Sequence, residues 1–279
     1  MLSNALPDLA AWTAYLRDAP IPVLGDTAAE IAALAAAEAA DGQVDARTLA
    51  EAITGDPLMT IKVLADSARR RSPGQVTDAE SVTAAVMLMG LKRFFVNYAE
   101  LEGIEQLLAA IPFALEGINR VVIPSHPASP FALTFAVHRM EADAAVIHEA
   151  ALLHDIAELL LWCHAPTLAL EIRILQMADP KLRSAAVQKV VLNVRLDQLE
   201  QSLMQAWQLP ELLVELTSEG PCNPLHAPQR RMVKLAVRLA RHSADGWTDA
   251  ALPDDIHEVS QLLGLSHGAT QRLVRNIDL

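Results

Sequence analysis

Aromatic residues are scarce in this sequence, with four Trp, two Tyr and five Phe among 279 residues. A core so short of rings must be filled by aliphatic side chains, which suits closely packed helices. Cysteine is scarcer still. Cys163 and Cys222 lie too far apart for a paired metal motif and read as two reduced thiols. Positive charge is in deficit, with 22 Lys and Arg against 34 Asp and Glu, a net −12. That balance argues against a general nucleic-acid binder, since a phosphate backbone selects a basic face. The runs Arg69-Arg70-Arg71 and Arg230-Arg231 read as solvated helix ends. No uncharged apolar run reaches the roughly 18 to 20 residues of a membrane span. The opening Met1-Leu-Ser-Asn-Ala-Leu-Pro-Asp lacks the basic start and apolar core of a signal peptide, so the expected location is the cytoplasm. There is no Gly-rich phosphate loop and no nucleophile elbow.

The alternation of strands is nearly absent and helical periodicity dominates, so the expected class is all-α, with twelve to fourteen helices. Leu9, Trp12 and Leu16 share one face of an amphipathic helix over 8–18. Asp26 or Thr27 is the expected cap of an Ala-rich helix ending at Asp41-Gly42. Asp45 caps the next, and Asp56-Pro57 opens another with Pro where its missing N–H does no harm. After Ser72-Pro73-Gly74, helices follow from Asp78 to Met89 and from Lys92 to Leu101, with Phe94, Phe95 and Tyr98 as core. Pro112 and Pro124 bracket a helical piece, and the pattern resumes at Pro130. Further helices are expected at 144–163, 166–177, 181–207, 211–218, 229–242, 253–263 and 268–276.

The helix expected at 144–163 carries an adjacent His154-Asp155 within Ala150-Ala-Leu-Leu-His-Asp-Ile-Ala-Glu-Leu-Leu-Leu-Trp162. An imidazole and a carboxylate in such apolar company need partners. A divalent metal could supply them, with further ligands from other helices, or the two groups could satisfy each other by hydrogen bonding. The other histidines, His138, His148, His164, His226, His242, His257 and His267, share no ligand spacing and read as surface or interface residues.

The segment Ala150-Ala-Leu-Leu-His154-Asp155-Ile156-Ala157-Glu158-Leu159 resembles the A-x-L-L-H-D-I-G-K-L of the HD superfamily of metal-dependent phosphohydrolases, and more closely its HDOD branch. Ile21-Pro-Val-Leu24 is similar to that branch's L-P-x-L-P opening. Ile53, Asp56-Pro57-Leu58, Val63-Leu64 and Asp66-Ser67-Ala68 match its D-P-x-L helix, and Ser81 through Leu88-Met89-Gly90-Leu91 match its S-x-x-x-A-x-x-x-L-G-L. Leu203 with Trp207-Gln208-Leu209-Pro210 resembles its L-x-x-W-x-L-P. The resemblance implies a multi-helical HDOD-like domain over 21–245, in lobes of about 21–120 and 125–245, the second HD-like. An N-terminal amphipathic helix (1–20) and a C-terminal helical extension (246–279) flank it.

It also implies a metal site, for which the candidate ligands are His126, His154 and Asp155. Here the chain departs from the catalytic pattern. The late L-A-D reads Leu235-Ala236-Val237, the Lys after the His-Asp pair is Glu158, and the later His-His pair falls near Ser218-Glu219. No catalytic or cofactor-binding residue is assigned, and no cofactor is expected, with a divalent metal as the alternative. The reading that follows is a non-enzymatic bacterial signal-transduction or regulatory module with a degenerate metal site. It would act through protein partners, a second copy among them, with neither membrane nor nucleic acid. The amphipathic termini, 8–18 and 254–277, are the expected partner-facing elements, with packing on the same chain as their alternative. Two other functions stay open: a metal-dependent phosphohydrolase on a nucleotide or phosphoester, and a sensor of a nucleotide second messenger without turnover.

Overall fold

Short side-chain oxygens set where many of the helices begin. In the computed structural model, which describes residues 1–70, 79–179 and 181–277, Asp8, Asp45, Asp56, Ser81 and Ser266 each accept a first-turn amide. The helices in chain order are α1 (Leu9–Asp18), α2 (Gly25–Asp41), α3 (Ala46–Ile53), α4 (Pro57–Arg69), α5 (Val82–Met89), α6 (Leu91–Tyr98) and α7 (Ile104–Leu107). Then come α8 (Pro112–His138), α9 (Ala144–Leu152), α10 (Ile156–His164), α11 (Pro166–Ala178), α12 (Ser184–Leu192) and α13 (Leu196–Ala206). The last are α14 (Glu211–Thr217), α15 (Ala227–Ser243), α16 (Leu252–Leu263) and α17 (His267–Arg275). Among the described residues there is no strand, only an isolated bridge between Val23 and Gly103. The all-α expectation therefore holds. No helix among the described residues is long and apolar enough to cross a membrane. Arg71, the Ser72-Pro73-Gly74 break and Asp78 lie outside the described residues.

Several boundaries differ from those read in the sequence. The second helix starts at Gly25 behind Leu24, two or three residues ahead of the caps expected at Asp26 or Thr27. The span 181–207 is two helices, parted where Asn193 takes a left-handed conformation at φ 65°. Most consequential, α8 runs unbroken through Pro124, Pro127 and Pro130. Each Pro forfeits one ladder hydrogen bond. Ala128, Phe131, Ala132 and Phe135 are buried along this stretch, and their packing holds the helix together across the prolines.

The packing separates two compact units, with boundaries at 119/120, 154/155 and 210/211. Unit 1 comprises residues 1–119 and 155–210. In it α1 lies against α13, and Trp12 and Leu16 are fully buried. The Trp12 indole donates to the Leu192 carbonyl at 2.8 Å, and the Trp207 indole donates to Arg17 O at 3.3 Å. The N-terminal amphipathic helix thus covers its apolar stripe on its own chain. Phe94 and Tyr98 are buried as expected. Cys163 is buried too, which pushes its thiol up to about 12 and leaves it inert.

Unit 2 comprises residues 120–154 and those from 211 onward. In this unit α9 packs on α14 and α15, α15 on α16, and α16 on α17. Leu252, Ile256, Val259 and Leu263 of α16 and Val274 of α17 are buried, so the C-terminal helices also bury their apolar faces within their own unit.

Candidate functional site

The His-Asp dipeptide does not lie inside a helix. α9 ends at Leu152, the chain turns through Leu153, His154 and Asp155, and α10 begins at Ile156. The apolar pattern continues across this break, and sequence periodicity therefore overlooked it. Asp155 stands at the N-cap position of α10, and its carbonyl accepts from Glu158 and Leu159 at 3.1 Å. The hydrogen-bonded role foreseen for His154 is not realised at Nδ1, which is buried without a hydrogen-bond partner among the described residues. His126 is exposed on α8. Among the described residues no group of three His, Cys, Asp or Glu side chains is placed to hold a metal ion. The side chains present do not fit the divalent ion that the family resemblance implies.

What surrounds His154 is cationic. It lines a cleft of about 580 Å³ within unit 2, together with one face of α15. That helix divides its residues by spacing. Met232, Val233, Ala236, Leu239 and Ala240 are buried on one side. Arg230, Arg231, Lys234, Arg238 and Arg241 recur every three or four residues along the other, and all five line the cleft. Among the described residues, two carboxylates, Glu219 and Glu258, stand on the same wall. Val237, where the superfamily pattern has its late Asp, also lines the cleft. An isopropyl group offers no lone pair to a metal.

Several of these cations are held in place. The Arg230 guanidinium donates to the carbonyls of Ser218 and Gly220 at 3.1 and 2.7 Å. These neutral acceptors orient it without cancelling its charge. Lys234 pairs with Glu219 at 2.6 Å. Arg238 bridges Asp255 and Glu258, both at 2.6 Å, and Asp255 also accepts from His242. Burial works against the Arg238 charge, but the Glu258 hydrogen bond and the Asp255 charge together raise its pKa. The positions of the missing His-His pair, Ser218 and Glu219, thus serve α15 as anchors for its cations. Glu158 lies in unit 1, beside Gln176, Ser184 and Gln188.

In sequence this helix stands out for its missing Asp, and Arg230-Arg231 reads as a solvated helix end. The signal missed there is the spacing 230, 231, 234, 238 and 241, which is one helical face. Of the histidines read as surface or interface residues, His164 is buried in unit 1, and His148 is half-buried on α9, where burial pushes it down to about 4.

The fold is shared with solved proteins. The MmoQ response regulator of Methylococcus capsulatus superposes with a TM-score of 0.67 at 20% identity, over 92% of this chain and 99% of that one. A virulence factor of Campylobacter jejuni gives 0.64 at 16% identity, over 94% of this chain and 92% of that one. A sequence search among curated proteins finds no match. The family model described as the HDOD domain matches residues 21–220, well over half of the sequence, and the chain belongs to the HDOD family.

Proposed function

We propose that this protein is a non-enzymatic signal-transduction module of the HDOD family that acts through protein contacts and carries a degenerate metal site. The observation behind this reading is the make-up of the His154 cleft. Val237 and five cations line it where a metal-dependent phosphohydrolase needs several oxygen and nitrogen donors for a divalent ion. The response-regulator role named for the Methylococcus capsulatus protein enters by analogy of fold.

The terminal helices are spent on intrachain packing, so the partner-facing surface is sought elsewhere. Exposed apolar side chains stand one turn apart on α8 at Leu133 and Val137, with Met140 just beyond the helix end. Such a stripe is suited to a protein partner, a second copy of the chain included.

Metal analysis of the purified protein, followed by turnover assays with nucleotides and cyclic dinucleotides, tests the reading. Substoichiometric metal, no turnover and an unchanged melting temperature in Asp155→Asn are expected. Stoichiometric Fe, Mn or Zn that is lost together with activity in His154→Ala would overturn it in favour of a phosphohydrolase.

A further inference from the structure

The cleft that does not fit a metal cation has the opposite chemistry. We propose that the unit 2 cleft lined by His154, Arg230, Arg231, Lys234, Arg238 and Arg241 binds a small anion carrying two or more phosphate groups. Five cationic side chains line it beside Glu219 and Glu258, with Asp255 behind Arg238, so cations still outnumber carboxylates there in a chain whose net charge is −12. Such a local inversion concentrates anions at one place on an otherwise repelling surface.

The cations differ in what they can offer. Lys234 and Arg238 are held by carboxylates and form the fixed wall. Arg230 is steered by two neutral carbonyls, so its charge is available to a ligand. Arg231 and Arg241 are exposed at opposite ends of the stripe. Ten residues of helix separate these two, about 15 Å at 1.5 Å per residue, which outspans a single phosphate. Guanidinium groups bind phosphate oxygens through paired N–H donors, so successive arginines suit successive phosphates. The buried, unpartnered Nδ1 of His154 adds a polar atom in want of a partner.

Size and charge select a small ligand over a polymer. A cleft of about 580 Å³ falls in the range of small-molecule sites. A long nucleic acid would meet the acidic remainder of the chain. Anion binding here is separable from the protein-contact reading, since neither needs the other.

Isothermal titration of the full chain with pyrophosphate and with orthophosphate, in buffer containing EDTA, tests the proposal. Saturable one-to-one binding of pyrophosphate is expected, at least about tenfold tighter than orthophosphate. Arg231→Ala and Arg241→Ala should each weaken it about tenfold, while Arg47→Ala, on unit 1, leaves it unchanged. Because Arg231 is exposed, Arg231→Ala should keep the wild-type melting temperature, so that its loss of binding reads the site and not the fold. A nucleoside diphosphate arm separates the sources: equal affinity identifies the phosphates alone as the determinant, and tighter binding adds a nucleoside contact. Either result supports the site. No saturable binding, undiminished binding in the Arg231→Ala/Arg241→Ala double variant, or binding of an RNA oligonucleotide without pyrophosphate would overturn it. Turnover of pyrophosphate on adding a divalent metal would instead defeat the non-catalytic reading and leave the anion site standing.

Discussion

Asp56 Oδ2 accepts the backbone amide of Leu24 at 2.8 Å, which ties the start of α4 to the segment entering α2. Its other oxygen accepts the Leu58 and Met59 amides at 2.8 and 3.0 Å. Asp56 is fully buried. Burial pushes its pKa up, and the amide donors oppose that. Two sequence features more than thirty residues apart, Ile21-Pro-Val-Leu24 and Asp56-Pro57-Leu58, are therefore one interaction.

Removing that carboxylate leaves the buried Leu58 and Met59 amides and the part-buried Leu24 amide without their acceptor. Asp56→Ala should cost about 3 kcal/mol of stability, from the lost cap and unsatisfied donors together. Asp56→Asn, which keeps one acceptor oxygen, should lose less. Urea unfolding midpoints give the order, and an alanine variant as stable as wild type would refute this account of the motif.

Trp12→Ala should destabilise unit 1 by about 3 to 5 kcal/mol, since a fully buried indole and its hydrogen bond to Leu192 are both lost. If α1 served chiefly as a docking helix, the same change would leave thermal unfolding almost unmoved.

A close approach governs α8. A Cβ added at Gly117 would lie 2.5 Å from indole carbons of Trp162. Alanine favours a helix by about 1 kcal/mol over glycine, yet overpacking costs about 1 to 3. Gly117→Ala should accordingly lower the melting temperature, and Trp162→Leu in the same chain should relieve part of the loss. Additive losses in that double-mutant cycle would mean the two residues do not meet.

His148 is held near pKa 4 against an ordinary 6.5, through burial. A folded value below the unfolded one favours the neutral ring. Its contribution is whole above about pH 6.5 and is lost as pH falls toward 4, a change of at most about 3 kcal/mol. His164, also lowered by burial, adds to the same trend. Unfolding free energies measured across that window should fall with acidification, with a shallower slope in His148→Gln. An identical slope in the variant would assign the acid sensitivity elsewhere.

Arg238→Met should cost about 2 kcal/mol by leaving the buried Asp255 with less compensation for its charge. Restoration by Asp255→Asn in the same chain would show that an unpaired carboxylate, and not lost packing, is responsible. Chemical unfolding of the two variants decides between them.

Much of the fold was legible because its signals are local. Asp45 and Asp56 cap the helices they were expected to cap, and Trp12 and Leu16 are buried on the stripe that their spacing drew. Proline misled where burial outweighed it: Pro124 reads as a stop, but the packing of Phe131 and Phe135 carries α8 past it. The break at His154 was invisible because Leu152, Leu153 and Ile156 keep apolar company on both sides. For the candidate site, the residue missing from the expected pattern, Val237, was legible. The arginines around it gained meaning only once the structure brought them and His154 to one cleft.

The two units are interleaved along the chain, and that has a consequence for synthesis. Residues 120–154 leave the ribosome before the 155–210 segment of the other unit, and long before α15, on which α9 packs. Until α15 is made, buried residues of α9 such as Ile147, Ala150 and Leu152 lack part of their cover. Neither unit can close from a contiguous nascent stretch. Both depend on distant contacts that slow folding, so the apolar surface of α9 stays uncovered until α14 and α15 are made.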